Sequence, residues 1–184
     1  MPKHIVLLRG INVGGKNKIA MPVLKAAFEA ADFADVRTYI NSGNVIFSID
    51  DEDTVALQQR CRQIIMDTFG LDIITAVISA EEYMDALNHA PVWWDNDAGS
   101  KHNAIFVIKP VSTASVIEEV GEIKPGYEQS AFYGQVIFWS APIKTFSQTR
   151  WSQVVSAKPL YNSITIRNAN TANKLLQLLG DEQS

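Results

Sequence analysis

The chain runs twice through the same order of predicted elements: strand, helix, strand, strand, helix, strand. In the first pass, "HIVLLR" (4–9) is a short apolar strand. After the loop "GINVGGKNKIA", the segment "MPVLKAAFEAA" (21–31) carries Val23, Leu24, Ala27 and Phe28 as a helical stripe. "DVRTYI" (35–40) alternates as a strand and turns through "NSGN" (41–44) into "VIFSI" (45–49). "EDTVALQQRCRQIIMDTF" (52–69) is an amphipathic helix, entered through acidic residues that suit its N-terminus and left at Gly70; "LDIITAVIS" (71–79) is a strand.

A helix at "AEEYMDALNHA" (80–90) and an aromatic, acidic linker, "PVWWDNDAGSK" (91–101), precede the second pass. "NAIFVIK" (103–109) is a strand, and "STASVIEEVGEI" (112–123) is a helix that Ser112 or Thr113 can cap. "YEQSAFYG" and "QVIFWSA" form a hairpin around Gly134, and "TFSQTRWSQVV" (145–155) reads as one helix. "SITIR" (163–167) is the last strand, before a terminal helix, "NTANKLLQLLG". Gly43-Asn44-Val45-Ile46-Phe47 matches Gly134-Gln135-Val136-Ile137-Phe138 in type, which points to an internal duplication. The expected fold is α+β, with two tandem ferredoxin-like (β-α-β-β-α-β) halves and antiparallel sheets. The expected domains are residues 1–90, carrying the glycine-rich loop, and 91–184, with an extra C-terminal helix.

In such a unit the first and second strands run parallel, so the loop after the first and the hairpin after the second emerge on one edge. That edge gathers Arg9, Gly10, Asn12, Gly14, Gly15, Lys16, Asn17 and Lys18 with Asn41, Ser42, Gly43 and Asn44. Gly10, Gly15 and Lys16 satisfy G-x-x-x-x-G-K. Nucleotide hydrolysis is nevertheless not expected. Asn17 replaces the hydroxyl that would hold Mg²⁺, the helix does not open at Lys16, and no later apolar strand ends in an acidic metal partner. The first helix starts near Pro22 with Ala20 and Met21 before it, neither able to cap its free N–H groups. Loop carbonyls, water or a bound anion must satisfy them.

The formal charge is -4, which gives the molecule as a whole no attraction for nucleic acid or anionic membrane. Its distribution is uneven, because Lys3, Arg9, Lys16, Lys18 and Lys25 all precede the first carboxylate, Glu29. A single cysteine, Cys61, excludes an internal disulfide framework and falls at helical spacing between Leu57 and Ile64/Ile65, a core position. No run approaches membrane-spanning length, and the expected location is the cytoplasm. His4, His89 and His102 lack metal-ligand spacing, so no metal and no cofactor are expected. Phe47, Phe106, Phe138 and Trp139 read as core rather than as base-stacking platforms. "RNANT" (167–171) reads as a cap for the last helix through Asn168, Asn170 or Thr171, with Arg167 as an alternative anion ligand.

"LLRGINVGGKNKI", "VRTYINSGNVIF", "KHNAIFV" and "TIRNANTANKLLQL" together resemble the landmarks of a widespread bacterial family of unknown function, domain of unknown function family 1697. The resemblance covers essentially the whole chain. It implies a two-part α+β fold of ferredoxin-like repeats and no established activity, cofactor or catalytic residue. Two departures stand out: Ala169 occupies the place where the family's R-N-W-N-T carries Trp, and "SQTRWS" (147–152) stands where relatives show a glycine-containing segment. Both leave the first half as the expected site.

The residues thus favour a cytoplasmic anion-binding module for a phosphorylated small molecule or a nucleic-acid backbone, without a membrane partner. An alternative is an enzyme acting on a phosphorylated or carboxylate substrate, although no catalytic constellation is recognisable beyond Ser42 and Tyr39 near the loop. A third reading is a protein interaction or oligomerisation module.

Overall fold

The structure, a computed structural model, describes residues 1–181. It divides into two compact units, Met1–Glu81 and Glu82–Ser184.

The first unit contains β1 (Lys3–Leu8), α1 (Met21–Ala30), β2 (Ala34–Tyr39), β3 (Asn44–Ser48), α2 (Thr54–Phe69) and β4 (Thr75–Ser79). Its sheet has the order β2-β3-β1-β4, and every neighbouring pair is antiparallel. Alternation along the strands puts Val6, Leu8, Val45, Phe47 and Val77 on one face, packed with Leu24 and Phe28 of α1 and Leu57, Cys61 and Ile65 of α2. Cys61 is fully buried, and that burial pushes its thiol pKa far above the ordinary value. Asp53 caps α2, its carboxylate accepting from the N–H groups of Val55 and Ala56 at 3.0 Å. Gly70 ends the helix in the left-handed conformation, φ 67°.

The second unit repeats this plan with β5 (Ser100–Val107), α4 (Thr113–Val120), β6 (Gln129–Tyr133), β7 (Val136–Pro142), α5 (Arg150–Val154) and β8 (Ile164–Asn168). The sheet order is β6-β7-β5-β8, again antiparallel throughout. Two helices lie outside the repeat: α3 (Ala80–Asn88) and α6 (Ala169–Gly180). Ile105, Val107, Ile137 and Trp139 pack with Val116 and Val120 of α4 and Trp151 of α5. The structure thus has the two antiparallel ferredoxin-like sheets expected from the element order.

Two expectations change. The division falls at Glu81/Glu82, ahead of 90/91, because the ring of Tyr83 stacks on Phe106 at 5.6 Å and its hydroxyl donates to the Ala172 carbonyl at 2.7 Å. Trp94, in the segment read as a linker, is buried against Phe138 and donates its indole N–H to the Asn103 carbonyl at 2.9 Å. The helix expected over 145–155 is instead a 3-10 helix, Ile143–Gln148, followed by the short α5. Thr149 breaks it, its side chain accepting from Ser152 N, while Glu128 accepts from the N–H groups of Arg150 and Trp151. A carboxylate from outside the segment thereby starts the new helix.

Candidate functional site

The chain leaves β1 at Leu8 and is fixed at once on both sides: Leu8 N–H donates to the Gly43 carbonyl and Arg9 N–H to the Ile74 carbonyl, each at 2.9 Å. The loop and the β2–β3 hairpin therefore lie side by side, as the strand order requires. Gly43 has φ 88°, and a Cβ there would lie 2.6 Å from Ile11 Cδ1 and 2.9 Å from Leu8 Cβ. Only glycine fits this close approach.

Gly14 and Gly15 do not cradle an anion in the manner of a nucleotidase loop. They are the two central residues of a small hairpin in which Val13 bridges Lys16, with φ 59° and 74°, the sign that a mirror-image two-residue turn demands. Lys16 N–H closes this turn on the Val13 carbonyl at 3.1 Å. The helix opens only at Met21, so Lys16 stands on a projecting turn rather than at a helix N-terminus.

Asn12 holds the loop together. Its Oδ1 accepts from Ile19 N–H at 2.8 Å, and its Nδ2 donates to the carbonyls of Ile19 and Asn41, both at 2.9 Å. Asn17 Nδ2 donates to the Gly10 carbonyl at 2.9 Å. Asn44 is fully buried and donates to the Tyr39 carbonyl and Ser42 Oγ. Asn12 and Asn17 brace the loop, Asn44 braces the hairpin, and Lys16, Lys18 and Asn41 form the exposed outer surface.

Asn12, Gly15, Lys18, Ile19, Ala20, Asn41 and Phe69 line a shallow recess of about 620 Å³. Arg9, Gly10, Gly14, Lys16, Asn17, Ser42, Gly43 and Asn44 are absent from its lining. Phe69, at the end of α2, is a wall residue that the sequence reading missed, since only the packing of α2 brings it beside the loop. Ala20 precedes α1 with no side-chain cap, as expected. The demand for an external partner is smaller than the sequence suggests, because Pro22 has no N–H and Val23 N–H donates to the Ala20 carbonyl at 3.1 Å.

Among the described residues, lysine is the only charged type on this recess, and no carboxylate lines it. Three other recesses all carry carboxylates: Asp97 and Glu128 in one, Glu82 and Asp85 in the second, Asp95 and Asp97 in the third. In a chain of net charge -4, this difference gives the loop recess its chemical character. Tyr39 and Ser42, the residues that an enzymatic reading would use, do not line this recess.

Elsewhere, Asn168 caps α6 by accepting from Thr171 N–H at 2.8 Å, and Arg167 is buried, donating to Thr165 Oγ1 and the Ile166 carbonyl. Phe47, Phe106, Phe138 and Trp139 are all core residues. Among the described residues, no helix is long and apolar enough to cross a membrane, and no three His, Cys, Asp or Glu side chains are grouped to hold a metal.

Residues 1–138 match the family described as "Protein of unknown function (DUF1697)". The chain is similar in structure to the conserved bacterial protein SP0830 from Streptococcus pneumoniae, with a TM-score of 0.83 and 29% identity, covering 97% of this chain and 98% of that one. An unknown protein from Galdieria sulphuraria aligns over 91% of this chain and 96% of its own at 11% identity, with a TM-score of 0.28. No curated protein matches the sequence.

Proposed function

The chain belongs to the DUF1697 family, whose description assigns no activity, and we propose from the site's own geometry that it is a binding module for a phosphate-bearing ligand. The phosphate, borne on a small molecule or on a nucleic-acid backbone, sits at the recess beside loop 9–18 and hairpin 41–44. One observation carries the reading: this recess is lined by Lys18 and amide side chains with no carboxylate, while the others described are acidic. Lys16 adds charge from the projecting turn. Phe69 offers an aromatic wall to the sugar or base that follows the phosphate.

The test is thermal unfolding of the wild type and of Lys16→Ala/Lys18→Ala against nucleotides, sugar phosphates and single-stranded RNA, with and without Mg²⁺. A ligand at about a hundred times its dissociation constant stabilises by roughly 2.7 kcal/mol, a shift of a few degrees. The expected result is a shift in the wild type that the double variant loses while its own unfolding temperature is unchanged. Each lysine removed also lowers the dependence of log affinity on log salt, by about 0.7 to 0.9 for every phosphate it neutralises in the wild type. A ligand that shifts both proteins equally would remove the site from this loop.

A further inference from the structure

The second unit holds a different arrangement. His102 on β5 and Ser140 on β7 are direct partners in the antiparallel register. Both are buried, at 7% and 5% exposure, and both line a cleft of about 430 Å³. Ser140 Oγ and His102 Nδ1 are 2.5 Å apart, and His102 Nε2 lies 3.0 Å from the Asp97 carbonyl oxygen. A carbonyl can only accept, so in the neutral imidazole Nε2 carries the proton and Nδ1 presents its lone pair. Ser140 therefore donates its hydroxyl proton to Nδ1. The Asp97 carboxylate lies 3.8 Å from Nε2 and is itself held by the Ser100 hydroxyl at 3.1 Å.

We infer that Ser140 is a nucleophile activated by His102, and that the cleft hydrolyses carboxylic esters that are uncharged or cationic. A serine bonded to a neutral imidazole whose other nitrogen is anchored is the arrangement that serine acylation requires, recognised by geometry rather than by chain order. Ser140 Oγ bonds to the acyl carbon as its proton passes to Nδ1. His102 then gives that proton to the departing alkoxide as the ester C–O bond breaks. A water molecule repeats the sequence on the acyl-enzyme, releasing the acid and restoring the serine. The charge that appears on the imidazole faces the Asp97 carbonyl and carboxylate. Asn96 and Gln129 also line the cleft, and a side-chain amide is the donor type that a developing oxyanion needs. Asp97 and Glu128 line the cleft with no Lys or Arg, which selects against anionic substrates.

The test treats the full chain with a fluorophosphonate, whose fluoride leaves as the phosphorus–serine bond forms, and locates the adduct by peptide mass spectrometry. Labelling at Ser140 is expected at a rate on the order of a hundredfold above other serines, the scale of general-base assistance. Ser140→Ala abolishes the adduct and the hydrolysis of p-nitrophenyl butyrate, and Asp97→Asn, which keeps the carbonyl but removes the charge, slows labelling several-fold at unchanged unfolding temperature. Ser140→Cys supplies a second reading: its thiol reacts with iodoacetamide in the folded protein, where Cys61 is buried. An adduct confined to other residues, or a Ser140→Cys thiol as inert as Cys61, would overturn the proposal.

Discussion

Both ends of the Asn12 side-chain amide are bonded to the backbone of one residue, Ile19, Oδ1 accepting from its N–H and Nδ2 donating to its carbonyl. The same Nδ2 reaches the Asn41 carbonyl, so one side chain closes the loop and ties it to the neighbouring hairpin. Asn12 also has φ 55°, a left-handed conformation that asparagine tolerates better than most residues. Asn12→Ala is expected to destabilise the first unit by about 2 kcal/mol, since it strands partly buried backbone groups. Urea unfolding measures it, and hydrogen exchange at Ile19 reports whether the loop opens first.

The glycines of the loop and of the hairpin separate by a simple substitution series. Gly14→Ala and Gly15→Ala place a Cβ in open space and cost only left-handed strain, about 1 to 2 kcal/mol. Gly43→Ala adds a collision with Ile11 and Leu8 to the same strain and should cost about 2 to 4 kcal/mol. Equal unfolding temperatures for the three variants would contradict this packing.

Ile40 is a β-branched residue held at φ 49°, and its side chain is half exposed. Little burial offsets that strain. Ile40→Asn is therefore expected to stabilise the protein, by about 0.5 to 1 kcal/mol in chemical unfolding.

Burial raises the pKa of the Cys61 thiol above its ordinary 9.0 and that of the Tyr83 hydroxyl above its ordinary 10.0. Above those values the unfolded chain releases both protons while the native state keeps them, so native stability is full below about pH 9 and falls as pH rises. Each group adds at most about 1.4 kcal/mol per pH unit to the slope. Unfolding measured from pH 8 to 11 should show this fall, and Cys61→Ala/Tyr83→Phe should flatten it even though the cavity at position 61 lowers stability overall.

The sequence carried the element order because each element is locally self-consistent. Strand alternation, the stripe of Val23, Leu24, Ala27 and Phe28, and the caps at Asp53, Ser112 and Asn168 require only near neighbours. The features that escaped depend on distant partners. Glu128 splits the helix expected over 145–155 by meeting the N–H groups of Arg150 and Trp151. Tyr83 moves the division between units through Phe106 and Ala172.

The candidate site follows the same division. Topology alone placed loop 9–18 beside hairpin 41–44, and the bonds from Leu8 to Gly43 and from Asn12 to Asn41 join them. Residue type did not reveal which asparagines brace the loop. Nor did the spacing of G-x-x-x-x-G-K distinguish a cradle from a hairpin turn, because spacing carries no dihedral angles. His102 and Ser140 lie far apart in the chain and meet only through sheet register.

The direct passage from β4 into α3, with Ser79 followed at once by the first helical residue, decides where this polypeptide tolerates being cut or lengthened. The stretch at 91–99, rich in turn formers, looks like a hinge on paper, yet Trp94 anchors it within the second unit. A tag, protease site or circular-permutation terminus placed there would pull that indole from its seat. Engineers dividing the chain should place the break ahead of Tyr83, so that its ring and hydroxyl stay with Phe106 and Ala172 in the second fragment.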